Sequence, residues 1–90
     1  MSWFHKAKAV SAVSVVKESC QVCGQGRVLA AVEKDGHSLF VVCEDCESEW
    51  STPIESFDAS LATRDQHTFL RYLEPADLID HQWHSQLLNA

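Results

Sequence analysis

Cys20-Gln21-Val22-Cys23-Gly24 and Cys43-Glu44-Asp45-Cys46 contain all four cysteines of the chain. Nineteen residues separate Cys23 from Cys43, so two C-x2-C pairs lie at the separation used by structural zinc sites. A structural zinc ion takes four soft ligands at the corners of a tetrahedron, with sulfur about 2.3 Å from the metal. One C-x2-C turn, a knuckle, points two thiolates the same way, and a second knuckle completes the shell. Gly24 suits the chain leaving the first knuckle, because a left-handed backbone there costs glycine little. Glu47 stands at the equivalent place in the second knuckle and suits it less well.

Between the knuckles, Arg27 to Lys34 and His37 to Val42 are rich in β-branched and apolar residues and flank Asp35-Gly36. Asp-Gly between two such runs marks a two-residue hairpin turn with both central residues at positive φ. That turn brings Cys23 beside Cys43 and sets a register: Val32 opposite Leu39, Ala31 opposite Phe40, Ala30 opposite Val41 and Leu29 opposite Val42. Both faces of the hairpin are then apolar, so either the flanks of the chain cover it or one face is left for a partner. Glu47 to Thr52 is expected to add a third strand, with Pro53 ending the ladder.

Over residues 18 to 53 the chain resembles a zinc ribbon, built as knuckle, hairpin, knuckle and a following strand that ends in an aromatic residue. Its second half, Cys-Glu-x-Cys-x-x-x-Trp over Cys43 to Trp50, is loosely similar to short bacterial ribbon proteins. The resemblance implies a small metal-stabilised α+β fold: a zinc ribbon of two or three antiparallel strands, with one structural Zn2+ on Cys20, Cys23, Cys43 and Cys46. It speaks to fold more than to function. Residues 1–19 and 54–90 are read as flanks of the 20–53 ribbon within one domain.

The flanks are expected to be helical in part. Trp3, Ala7, Val10 and Val13 follow helical spacing, whereas Val10 to Val16 favours a strand, so a short helix and then an extended lead into Cys20 is the expectation. Trp3 and Phe4 would cover the hairpin or stand out as anchors for a partner. After a linker from Pro53 to Thr63, Asp65 could cap a helix carrying Phe69, Leu70 and Leu73. Pro75 could open another, with Ala76, Ile79, Trp83 and Leu87 on one stripe.

Ninety residues bury only about 60% of the surface their unfolded chain exposes, which makes a metal staple valuable. Structural zinc contributes about 10 to 16 kcal/mol in small peptides, so the ribbon is expected to fold only when metallated. The chain carries 13 acidic and 7 basic side chains, net -6, and four thiolates with one zinc would take it to about -8. Residues 20–53 are themselves at -4, with Arg27 and Lys34 their only basic residues. Phosphate binding draws on Lys and Arg, so nucleic acid is the less favoured partner and a protein with a basic surface the more favoured. Glu44, Asp45, Glu47 and Glu49, with Trp50, are the candidate contacts, and solubility is the plain explanation for the same carboxylates.

Other chemistry finds less support. Redox dithiols usually need one C-x2-C pair opening a helix, and an iron site of the rubredoxin kind would want a glycine where Glu47 stands. His81 and His84, near Asp77 and Asp80, have the spacing of a helix face but nothing to complete a second metal site. No phosphate loop or nucleophile motif is present. No apolar run reaches eighteen residues, and Lys6 and Lys8 ahead of the interrupted run Ala9 to Val16 imitate a secretion signal only faintly. Cysteines at metal spacing favour a reducing compartment, so a cytoplasmic location is expected. The function expected is non-enzymatic: an adaptor or inhibitor docking on another protein, in one version an immunity protein that neutralises a basic toxin. A nucleic-acid-binding or transcription-related ribbon is the alternative, resting on the fold resemblance, Arg27, Lys34 and the N-terminal lysines.

Overall fold

A computed structural model describes residues 14–78 and Trp83. Five short strands form one antiparallel sheet: β1 (Val15–Lys17), β2 (Val28–Val32), β3 (Leu39–Cys43), β4 (Glu49–Trp50) and β5 (Arg71–Tyr72). β2 is the spine. β3 runs along one of its edges, and the other edge is shared by β1, opposite Val28 and Leu29, and β5, opposite Ala31 and Val32. β4 lies outside β3, and a bridge from Glu49 to Thr63 adds one more pair beyond it.

The hairpin register is the one its sequence implies, with Val32, Ala31, Ala30 and Leu29 facing Leu39, Phe40, Val41 and Val42. The turn is built differently from the expected two-residue loop. Glu33 N–H donates to Ser38 O at 2.7 Å, which leaves four residues in the loop, and Gly36 N–H closes a tighter turn onto Glu33 O at 2.9 Å. Gly36 takes φ 88°, while Asp35 stays out of the left-handed region. Asp35 instead uses its carboxylate. Its Oδ2 accepts from the Ser38 hydroxyl and its Oδ1 from the backbone of Ser38 and His37, both at 2.8 Å, which together lower its pKa to about 2. An aspartate that ties the turn from outside does not also need positive φ.

Both faces of the hairpin are covered by the chain's own flanks. Val28, Ala30, Val32, Val41 and Cys43 pack with Val16, Trp50, Leu73 and Trp83 on one face. Ala31, Phe40 and Val42 pack with Phe69 and Tyr72 on the other, where the His67 ring also stacks on Phe40 at 4.7 Å, nearly parallel. Every residue of β2 is 0% exposed. Its unbroken apolar run, Val-Leu-Ala-Ala-Val, is the pattern of a strand buried on two sides.

Helical flanks are not found among the described residues. Among the described residues no helix reaches seven residues, and the helical pieces are 3-10 turns at Ile54–Phe57, Ala59–Leu61 and Pro75–Leu78. The helix expected after Asp65 is replaced by β5. Asp65 sits at φ 59°, which is not the extended backbone of a helix N-cap, and Leu70 and Leu73 donate their N–H groups to Val32 O at 2.8 Å and Ala30 O at 3.0 Å. The second edge of β2 is buried, so its carbonyls need partners more than residues 66–73 need a helix. Val15–Lys17 is the extended lead expected before Cys20. The helix expected upstream of it, with Trp3 and Phe4, lies outside the described residues, as do Ile79, His81, His84 and Leu87. No helix among the described residues is long and apolar enough to cross a membrane.

Leu73 is 0% exposed and anchors the C-terminal segment in the core. Leu73→Ala is expected to lower the unfolding free energy of the metal-loaded protein by about 2–5 kcal/mol, measured by urea denaturation. A loss under about 1 kcal/mol would show that the segment does not hold the core.

Candidate metal centre

The two knuckles are built alike. In the first, Gly24 N–H donates to Cys20 O at 2.8 Å, and in the second Glu47 N–H donates to Cys43 O at 3.1 Å. Both closing residues adopt the left-handed backbone, Gly24 at φ 73° and Glu47 at φ 66°. Glutamate therefore takes the conformation it suits less well, at a cost of roughly 1–2 kcal/mol. The knuckle imposes that conformation on whichever residue follows its second cysteine.

The sheet brings the knuckles together. Cys43 is the last residue of β3 and pairs with Val28, the first residue of β2, so the exit of the first knuckle crosses the second. All four sulfurs lie within 4.8 Å of one another. Cys23 and Cys43 are 3.6 Å apart and Cys20 and Cys46 3.8 Å apart, and all four are free thiols. Ligands about 2.3 Å from a tetrahedral metal stand about 3.8 Å from each other, so the sulfurs fit a four-sulfur metal shell. Cys20 and Cys43 are buried within the core cluster, and Cys23 and Cys46 flank it half-buried.

Backbone amides are aimed at the sulfurs. Val22 N–H donates to Cys20 Sγ at 3.3 Å, and Asp45 and Cys46 N–H donate to Cys43 Sγ at 3.3 and 3.4 Å. Amides of Gly26 and, less strongly, Gln25 draw the half-exposed Cys23 thiol down to about 7. Burial dominates at Cys20 and Cys43 and pushes both thiols up in spite of their amides. Ionising four neighbouring sulfurs, two of them in the interior, requires a cation among them.

Gly26 is a site residue that motif reading missed. A Cβ there would lie 2.5 Å from Asp45 Cβ, 2.9 Å from Cys43 Sγ and 3.0 Å from Asp45 N. Gly26 O also accepts from Cys20 N–H at 2.9 Å, tying the ends of the first knuckle. The signal was a second glycine two residues beyond Gly24, which the knuckle conformation alone does not explain.

The five candidate partner contacts are placed differently from one another. Glu44 is paired with Arg27, Nε to Oε2 at 2.8 Å, and Asp45 and Glu47 lie half-exposed on the second knuckle. Glu49 is buried, its Oε1 accepting from Gln66 N–H at 3.0 Å, His67 N–H at 3.1 Å and lying 2.8 Å from His67 Nδ1. Trp50 is 1% exposed, and its indole N–H donates to Asp58 O at 3.1 Å. Glu49 and Trp50 thus act inside the fold, joining β4 to the loops at Gln66 and Asp58.

Gly26→Ala is expected to weaken metal binding by on the order of 10-fold or more, since the added methyl must push the knuckles apart. Competition with a chromophoric chelator measures it. Gly36→Ala, strained by its φ of 88° but with nothing within 4 Å of the added Cβ, is the comparison for backbone strain away from the knuckles and should lower metal affinity less than Gly26→Ala does.

No protein-family model, curated protein or solved structure matches this chain. The sheet and the sulfurs therefore stand on their own geometry: a small antiparallel sheet with four clustered cysteines that could hold a metal ion.

Proposed function

We propose that the protein is a zinc-ribbon-like binding module in which Cys20, Cys23, Cys43 and Cys46 hold one structural zinc ion, and that its work is to dock on another protein. The observation that carries the metal reading is the convergence of four free sulfurs at tetrahedral separations. Four thiolates suit zinc, and a shell filled by four protein ligands is that of a structural site. Zinc, when bound, cross-links the two knuckles and offsets the charge of the thiolates.

Two features support a protein partner. Arg27, one of the two basic residues between 20 and 53, is engaged by Glu44, which lowers the attraction for phosphate further. Val22 on the first knuckle is exposed, as are Ile54, Phe57 and Leu61 in the 3-10 turns; Gln21 Nε2 of the knuckle donates to Phe57 O at 3.2 Å, and Lys17 Nζ lies 4.6 Å from the centre of the Phe57 ring. Apolar side chains exposed next to acidic ones suit a partner that offers an apolar patch with a basic rim. A basic toxin held by an immunity protein is one version of such a pair.

Two measurements test this. The purified, reduced protein should contain one zinc per chain, and chelation should unfold it; a folded sample with less than about half an equivalent would overturn the metal reading. At low salt the metallated protein should pass a heparin column unretained, whereas retention that falls steeply with salt would favour nucleic acid over a protein partner.

A further inference from the structure

One residue pair ties the two knuckles together. Arg27 follows Gly26 at the exit of the first knuckle, and Glu44 follows Cys43 inside the second. Arg27 Nε donates to Glu44 Oε2 at 2.8 Å and Nη2 to Oε1 at 3.1 Å, a two-pronged fork. Arg27 N–H also donates to Oε2 at 3.1 Å, and Glu44 N–H returns a bond to Arg27 O at 3.0 Å. The backbone bond carries the β2–β3 pairing one step beyond Val28 and Cys43. The carboxylate, held by three donors from one residue, fixes where the second knuckle sits against the first.

That separation decides whether four sulfurs can share one ion. Cys43 is next to Glu44, Cys46 is two residues beyond it, and Gly26 beside Arg27 passes so close to Asp45 that a methyl would not fit. Neither Arg27 nor Glu44 belongs to either core cluster of the sheet, and their side chains are 40% and 29% exposed. The bonds between them join the two knuckles.

We propose that Arg27 and Glu44 are a positioning pair that sets the spacing of the two knuckles and so controls how long a bound metal is retained. The proposal rests on the metal reading above. A simpler role for Arg27, a positive charge beside an anionic centre, makes a different forecast. It would leave Glu44→Gln harmless or helpful, because the arginine charge would remain.

Zinc-loaded protein is mixed with excess 4-(2-pyridylazo)resorcinol and the release rate followed by absorbance, for the wild type and for Arg27→Lys, Arg27→Gln and Glu44→Gln. The expected result is release on the order of 10-fold faster in all three, lysine included because it lacks the fork. Cobalt-substituted samples should keep the charge-transfer bands of a four-sulfur site, showing that the ligands are unchanged. The exchanged pair R27E/E44R should recover most of the retention. Arg71→Gln, which removes the fork from Arg71 to Asp77 at 2.6 and 2.8 Å away from the knuckles, should release zinc at the wild-type rate. Wild-type release from Glu44→Gln, or equal acceleration in Arg71→Gln, would overturn the proposal. A wild-type protein that takes up no zinc or cobalt would overturn the metal reading itself.

Discussion

Four sulfurs crowded within 4.8 Å, two of them in the interior, are the constraint on which the rest depends. Ionised sulfur is costly to bury, and like charges at that distance repel. The chain answers with backbone amides turned toward Cys20, Cys23 and Cys43, with left-handed residues that close both knuckles, and with a glycine where they pass. A bound cation would neutralise what the amides do not. Because Cys20 and Cys43 also belong to the larger apolar cluster, the candidate metal centre is continuous with the core. Loss of the centre would therefore reach Val28, Val41 and Trp50 directly.

β2 turns this local geometry into a fold. A strand without exposed residues needs cover on two faces and partners on two edges, more than one hairpin can supply. β1 and β5 divide the second edge, and the segments that carry them also bring cover: Val16 and Leu73 to one face, Phe69 and Tyr72 to the other. The apolar hairpin faces are thus closed within the chain. Among the described residues, the large apolar side chains that stay exposed are instead Val22 on the first knuckle, Ile54, Phe57 and Leu61 in the 3-10 turns, and Leu70 before β5.

The acidic residues around the second knuckle have separate physical roles although they are neighbours in sequence. Glu44 binds Arg27, and Glu49 collects donors from Gln66 and His67 in the interior. A buried carboxylate with several donors is a structural cross-link, whereas a half-exposed one such as Asp45 contributes to the field that a partner meets. Net charge describes the sum of these groups and is silent on which of them reach the surface.

Some of this was legible in the residues alone because it depends on local spacing. Two C-x2-C pairs need only their own turns to present sulfur, and a turn centred on Asp35-Gly36 gives the hairpin register whether its loop has two residues or four. The left-handed residue after each knuckle follows from the same local geometry. Three things were decided only by tertiary structure. Residues 66–73 have apolar spacing compatible with a helix, yet they pair with β2, because a buried strand edge outweighs a weak local preference. The need for Gly26 arises from contact with Asp45 and Cys43, far away in sequence. Glu49 and Trp50 lie between half-exposed Glu47 and exposed Ser51 but are buried, since strand pairing and the loops that return to β4, not composition, choose which side chains leave the solvent.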